Sequence, residues 1–119
     1  VLLHAITDAL IGGAGIGDIG VLFPDTLEAN KHANSRTFLR QVNSILRNEY
    51  GFSIGNIDTT VIIDQPKLRD YIDLMRKNIA DDLGIELTQI NVKAKTSEGI
   101  GIVGRGEAVI AEAVVLLIK

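Results

Sequence analysis

The sequence predicts an α+β domain in which helices lie on one face of a sheet. Three observations carry this. Segments 2–12, 35–50 and 66–83 repeat apolar residues at helical spacing. Segments 56–64 and 89–95 alternate as strands do. The last segment, 107–118, is apolar on both faces apart from Glu112, so it needs cover on both sides. A chain of 119 residues has few elements to spare for a second cover, so one sheet face is expected to meet another subunit.

The first helix buries Leu3, Ile6, Ala9 and Leu10 and is expected to end at Gly12-Gly13. A glycine-rich loop follows and closes with the turn composition Phe23-Pro24-Asp25-Thr26. The second helix starts at a cap, Asn34 or Ser35, and stops before Gly51. Its stripe is Phe38, Leu39, Val42, Ile45 and Leu46, which leaves Arg36, Arg40 and Arg47 to solvent. After the first strand, Pro66 is read as opening the third helix, where its missing N–H costs nothing. Leu68, Tyr71, Ile72, Met75, Ile79 and Leu83 form that helix's buried stripe. In the second strand Ile90, Val92 and Ala94 share one face and Asn91, Lys93 and Lys95 the other. A loop is expected over 96–106.

Composition narrows the function. Net charge is −3, which argues against non-specific nucleic-acid binding. There is no cysteine, so disulfide scaffolds and thiolate zinc sites are excluded. No apolar run approaches the roughly 18 residues of a membrane span. The chain opens on Val1-Leu2-Leu3 with no charged segment before it, which reads as a start inside a domain rather than a signal peptide. With 46% hydrophobic residues but only three Phe, two Tyr and no Trp, aliphatic side chains must fill the core. One compact domain over residues 1–119 is expected.

Four places carry chemistry. His4 and Asp8 share a helix face and suit either a metal or a simple structural pair. His32 lies in a polar stretch and is read as solvent-exposed. Asp18 and Asp25 suit hydrogen bonds to ligand hydroxyls, or equally a helix exit and a turn. Lys95-Thr96-Ser97-Glu98 suits a phosphate clamp with a divalent cation on Glu98, or equally a polar hairpin, and Arg105 between two glycines suits an oxyanion.

Taken together these residues resemble the 2-C-methyl-D-erythritol 2,4-cyclodiphosphate synthase family. The resemblance runs through Leu3-His4-Ala5-Ile6-Thr7-Asp8-Ala9-Leu10, Gly17-Asp18-Ile19-Gly20 and Phe23-Pro24-Asp25-Thr26. It continues through Ser35-Arg36, Gly55-Asn56-Ile57-Asp58 and Pro66-Lys67, and ends on Asn91 to Glu98 and Gly104-Arg105-Gly106-Glu107. It implies a cytoplasmic enzyme (plastidial in a plant or alga) of the non-mevalonate route to isoprenoids. It also implies a homotrimer with sheets packed around a central axis and active sites between neighbours, acting on a small cytidine-diphosphate-linked substrate and on neither nucleic acid nor membrane. The implied reaction folds that substrate back on itself and releases CMP.

The resemblance also implies roles. His4 matches a ligand of a zinc-type site whose other two ligands belong to an N-terminal strand not found in this chain. Glu98 matches the ligand of a Mg²⁺ or Mn²⁺, and Thr96 the hydroxyl that stabilises the transition state. Asp18, Ile19, Gly20, Phe23, Pro24, Asp25 and Thr26 match the methylerythritol-phosphate pocket. Ile63, Pro66, Lys67, Leu68, Ala94, Lys95 and Ser97 match the cytidine and phosphate wall, while Ile102 and Arg105 flank the phosphates and the central channel. Ile102, Leu27 and Asp64-Gln65 depart from the family's usual residues. Two other readings stand beside the enzyme: an inactive trimeric nucleotide-binding module, and one half of a fusion with a cytidylyltransferase.

Overall fold

A computed structural model describes residues 1–23 and 34–119. Pro24, Asp25, Thr26, Leu27 and His32 therefore lie outside the described residues. Helix α1 (Leu2–Ala14) is followed by a short turn of helix, α2 (Ile19–Leu22), and by α3 (Ser35–Tyr50). Strand β1 (Ser53–Ile62), helix α4 (Ile72–Leu83), strand β2 (Ile90–Lys95), the helical turn α5 (Gly101–Gly104) and strand β3 (Ile110–Ile118) complete the order. The sheet runs β2-β1-β3, with β1 parallel to β2 and antiparallel to β3.

Among the described residues the long helices lie on one face. Helix α1 lies over β3 and α4 over β2, while α3 packs against both α1 and α4. Ile6, Leu10, Leu39, Val42, Leu46, Ile57, Ile79, Leu83 and Ile90 form the enclosed core. Leu39 is fully buried, so Leu39→Ala is expected to cost about 2–5 kcal/mol. Ile45→Ala, on a half-buried position of the same helix, is expected to cost less. Urea unfolding of the two variants checks the ranking.

The expected second helix matches α3. Asn34 caps it by accepting from the Arg36 amide at 2.8 Å, and Gly51 ends it in the left-handed conformation. Several other expectations need correction. Helix α1 continues through Gly12-Gly13 to Ala14 and is closed by Gly15 at φ 74°. Gly13 stays helical because its bare Cα faces β3, where a Cβ would stand 3.2 Å from Leu117 Cδ1. Pro66 does not open a helix. It follows a cis peptide in a connecting segment, and the helical path begins with a 3-10 turn at Arg69–Tyr71. Tyr71 in consequence points outward and is exposed.

Arg36 and Arg40 do not simply face solvent. Both bind Asp82 of α4, at 2.8 and 3.1 Å, and the Asp82 side chain is only 4% exposed. Arg47 reaches the Leu83 carbonyl at 3.5 Å. The first strand runs 53–62 rather than 56–64, with a register shift between Ile54 and Asn56. Gln89 donates to the carbonyls of Ile54 and Gly55 and so satisfies the backbone there. The 96–106 segment is not all loop, since it contains α5, and the last strand begins at Ile110 rather than Glu107.

The two-sided apolar strand is as expected. Ala113, Val115 and Leu117 pack against the core, whereas Ile110, Val114, Leu116 and Ile118 are 40–73% exposed on the opposite face. On that open face β1 and β2 are polar apart from Ile62 at the end of β1, with Lys93 bonded to Asp58 at 2.9 Å.

Candidate active site

Parallel strands leave a crevice beyond their carboxyl ends, where ligands commonly bind. Strands β1 and β2 end together here, with Ile62 opposite Lys95, and the Ile63 amide donates to the Lys95 carbonyl at 3.0 Å. Beyond that rung lies a cleft of about 320 Å³. The segment after β1 supplies Ile63, Asp64, Lys67, Leu68, Arg69 and Asp70, and the end of β2 supplies Ala94, Lys95 and Thr96. Five residues matched to the nucleotide wall (Ile63, Lys67, Leu68, Ala94 and Lys95) thus line one cavity together with Thr96, although about thirty positions separate their segments in sequence, while Pro66 and Ser97 do not line it.

The cleft is lined by apolar residues, Ile63, Leu68 and Ala94, by basic ones, Lys67, Arg69 and Lys95, and by the acidic Asp64 and Asp70. Among the described residues none of these three cations is held in an ion pair. They are free to meet an anionic group.

Asp64 has a different place. One carboxylate oxygen accepts from the Ser97 amide at 2.7 Å and the Ser97 hydroxyl at 2.8 Å. The other accepts from the Gly99 amide at 2.9 Å. The Ser97 amide above all, then its hydroxyl, hold the carboxyl below the ordinary aspartate range, with smaller help from Gly99 and Lys67. Between the two clamped residues stands Glu98, exposed and at φ 56°, a left-handed conformation unusual for a side-chain-bearing residue. Its amide donates to Thr96 Oγ1 at 3.2 Å.

A second cluster sits on the exposed side of α1. His4 Nε2 lies 3.0 Å from Ser35 Oγ at the start of α3. One turn along, Asp8 accepts from the Ile19 amide at 2.8 Å, and Asp18 caps α2 by accepting from the Val21 amide at 3.0 Å. His4 and Asp8 therefore serve different partners instead of pairing. Phe23 stacks on Phe38, with ring centres 4.6 Å apart. Within one chain, no described hydrogen bond or ion pair joins this cluster to the cleft.

Ile102 and Arg105 line neither place. Ile102 is exposed, and Arg105 bonds Glu107 at 3.1 Å. Sequence reasoning noted Asp64 only as a departure from the family's usual residues within the wall segment, and gave no role to Asp70. Asp64 had no local signal, because its partners lie 33 and 35 residues away.

A sequence model of the YgbB family matches residues 1–118. The chain belongs to the YgbB family. Its relatives include the 2-C-methyl-D-erythritol 2,4-cyclodiphosphate synthases of Burkholderia lata, 56% identical, and Ectopseudomonas mendocina, 50% identical. Each alignment covers 100% of this chain, and 73% and 75% of those proteins respectively. Among solved structures, the bifunctional IspDF of Campylobacter jejuni matches with a TM-score of 0.93 and 44% identity, over 98% of this chain and 31% of that one. IspF of Plasmodium falciparum, in complex with CDP, matches with a TM-score of 0.86 and 37% identity, over 99% and 70%. The resemblance read from the sequence is the right one, and these relatives are enzymes. Among the described residues no helix is long and apolar enough to cross a membrane.

The two metals fare differently against the geometry. A zinc-type ion needs three or four protein ligands. His4 offers one imidazole, and no group of three or more His, Asp or Glu side chains comes together among the described residues. These residues alone do not fit such an ion. A Mg²⁺-type ion is commonly held by one or two carboxylates together with substrate phosphates, and an exposed Glu98 beside the cleft fits that pattern.

Proposed function

We propose that this chain converts 4-diphosphocytidyl-2-C-methyl-D-erythritol 2-phosphate to 2-C-methyl-D-erythritol 2,4-cyclodiphosphate and CMP. The carrying observation is the cleft itself, whose lining joins apolar Ile63, Leu68 and Ala94 with Lys67, Lys95 and Thr96 in a chain of the YgbB family. A 2-phosphate oxygen attacks the β-phosphorus of the same molecule. The bond from that phosphorus to the bridging oxygen of CMP breaks, and CMP leaves with the electron pair. No covalent enzyme intermediate is required. The protein's tasks are to bend the substrate and to offset the charge that gathers on oxygen.

On this reading Ile63, Pro66, Leu68 and Ala94 hold the cytidine side, and Lys67, Lys95 and Ser97 the phosphates. The Thr96 hydroxyl donates to the reacting phosphoryl group. Glu98 would hold a Mg²⁺ or Mn²⁺, which would supply charge neutralisation on the diphosphate. Asp18, Ile19, Gly20 and Phe23, with Pro24, Asp25 and Thr26, receive the methylerythritol phosphate, and His4 would be one ligand of a zinc-type ion only alongside ligands that the described residues do not supply. Ile102 and Arg105 act only in the assembled protein.

That assembly is a homotrimer in which one copy's α1 cluster faces a neighbour's cleft. Two facts support it: the two clusters have no described bond within a chain, and β3 carries an exposed apolar stripe. The enzyme works in the cytoplasm as one domain spanning residues 1–119.

The test is CMP release from the cytidine-linked substrate with divalent metal present, alongside CDP binding by calorimetry. Lys67→Ala is expected to weaken CDP binding by roughly tenfold, the size of one charge-assisted contact of about 1.5 kcal/mol. A trimer that binds CDP yet releases no CMP would overturn the catalytic reading in favour of a binding module.

A further inference from the structure

We propose that Asp64 is a positioning residue, which shapes the 96–99 loop so that Thr96 and Glu98 face the reacting phosphates, and which takes no part in holding the nucleotide. The proposal rests on the catalytic reading above. A carboxylate lining a cleft with three cations that are unpaired among the described residues works against binding an anionic ligand. Its presence is accounted for by what it holds. It takes three hydrogen bonds from residues on either side of Glu98 and none from the cations within bonding distance.

Two consequences follow from those bonds. First, Glu98 is kept at a left-handed φ of 56° by clamps on both neighbours, so its side chain leaves the loop in one direction. Second, the Glu98 amide in that conformation donates to Thr96 Oγ1. The hydroxyl's proton is then free for an outside acceptor such as a phosphate oxygen. Without Asp64 the Ser97 and Gly99 amides become an unoccupied pair of donors, which is itself an anion-binding arrangement. Loss of the carboxylate therefore does not weaken nucleotide binding, while the reacting groups lose their register.

Asp64→Ala and Asp64→Asn in the assembled protein test this. For Asp64→Ala, kcat is expected to fall about 100-fold, the effect of a displacement near 1 Å at a reacting centre. KM and the CDP dissociation constant should change by no more than a few-fold, and the Mg²⁺ concentration for half-maximal rate should rise. Asp64→Asn keeps an oxygen for Ser97 and loses the acceptor for Gly99, so its kcat should lie between. Amide hydrogen exchange reads the clamp without catalysis: Ser97 and Gly99 should be protected in the wild type and both exposed in Asp64→Ala. If Asp64→Ala does not fold, Asp64→Asn carries the same comparison, with Gly99 alone losing protection. The proposal is overturned by wild-type kcat in Asp64→Ala, by CDP affinity falling in step with kcat, or by unprotected Ser97 and Gly99 amides in the wild type. A wild-type protein that releases no CMP refutes the catalytic reading instead, and the exchange result then still decides whether the clamp exists.

Discussion

Gly104→Ala is expected to reduce CMP release by about 100-fold while the helix-on-sheet core remains folded. A Cβ built at Gly104 falls on the backbone of Gly99, with the Gly99 Cα only 2.7 Å away. No flexible side chain can swing aside there, so the 99–101 backbone must shift. Gly99 follows Glu98 and donates to Asp64, so the shift is transmitted to Glu98 directly. Overpacking of this kind costs about 1–3 kcal/mol. That is small beside a core built from Ile6, Leu10, Leu39 and their neighbours, a cluster that includes no residue of the 96–106 segment. Circular dichroism should therefore show an intact fold and the activity assay a large loss. A fully active Gly104→Ala protein would mean that the loop yields without moving Glu98.

The elements were legible where local chemistry decides them. Asn34 and Gly51 bracket α3, and the alternation of Ile90 to Lys95 defines β2, because caps and periodicity act over a few residues. The misreadings share one cause, in that tertiary partners overrode a local signal. Gly12-Gly13 looks like a helix end, yet Gly13 is helical because Leu117 and Val115 need the space. Arg36 and Arg40 lie off the apolar stripe, yet Asp82 on another helix takes both. Pro66 has the chemistry of a helix start, but the segment from Ile63 to Asp70 first has to wall the cleft.

The site divides in the same way. Lys95 and Thr96 are read from residue type and pattern, whereas Lys67 comes from the family resemblance. The Asp64 clamp is invisible until the parallel pairing of β1 and β2 brings residues 64 and 97–99 together. Arg105, between two glycines, suggested an oxyanion site, but Glu107 two residues on takes its guanidinium within the chain.

Glu98 offers a test in which stability and activity part company. At φ 56° a residue with a Cβ is disfavoured by roughly 1–2 kcal/mol relative to the right-handed region, a cost glycine does not bear. Against this, glycine loses more backbone freedom on folding, by about 0.5–1 kcal/mol relative to alanine. Glu98→Gly is therefore expected to be as stable as the wild type or slightly more so, and more stable than Glu98→Ala by up to about 1 kcal/mol. Both variants lack the carboxylate, so both should lose CMP release to a similar extent, on the order of 100-fold or more for an electrostatic group at the reacting phosphates. Urea unfolding and the CMP assay on the pair read the two effects separately. Strain held at a functional residue predicts this pattern, with the more stable protein no more active. If Glu98→Gly were instead less stable than Glu98→Ala, the left-handed conformation would not be a cost borne for function. If either variant kept its rate, Glu98 would have no part in the reaction.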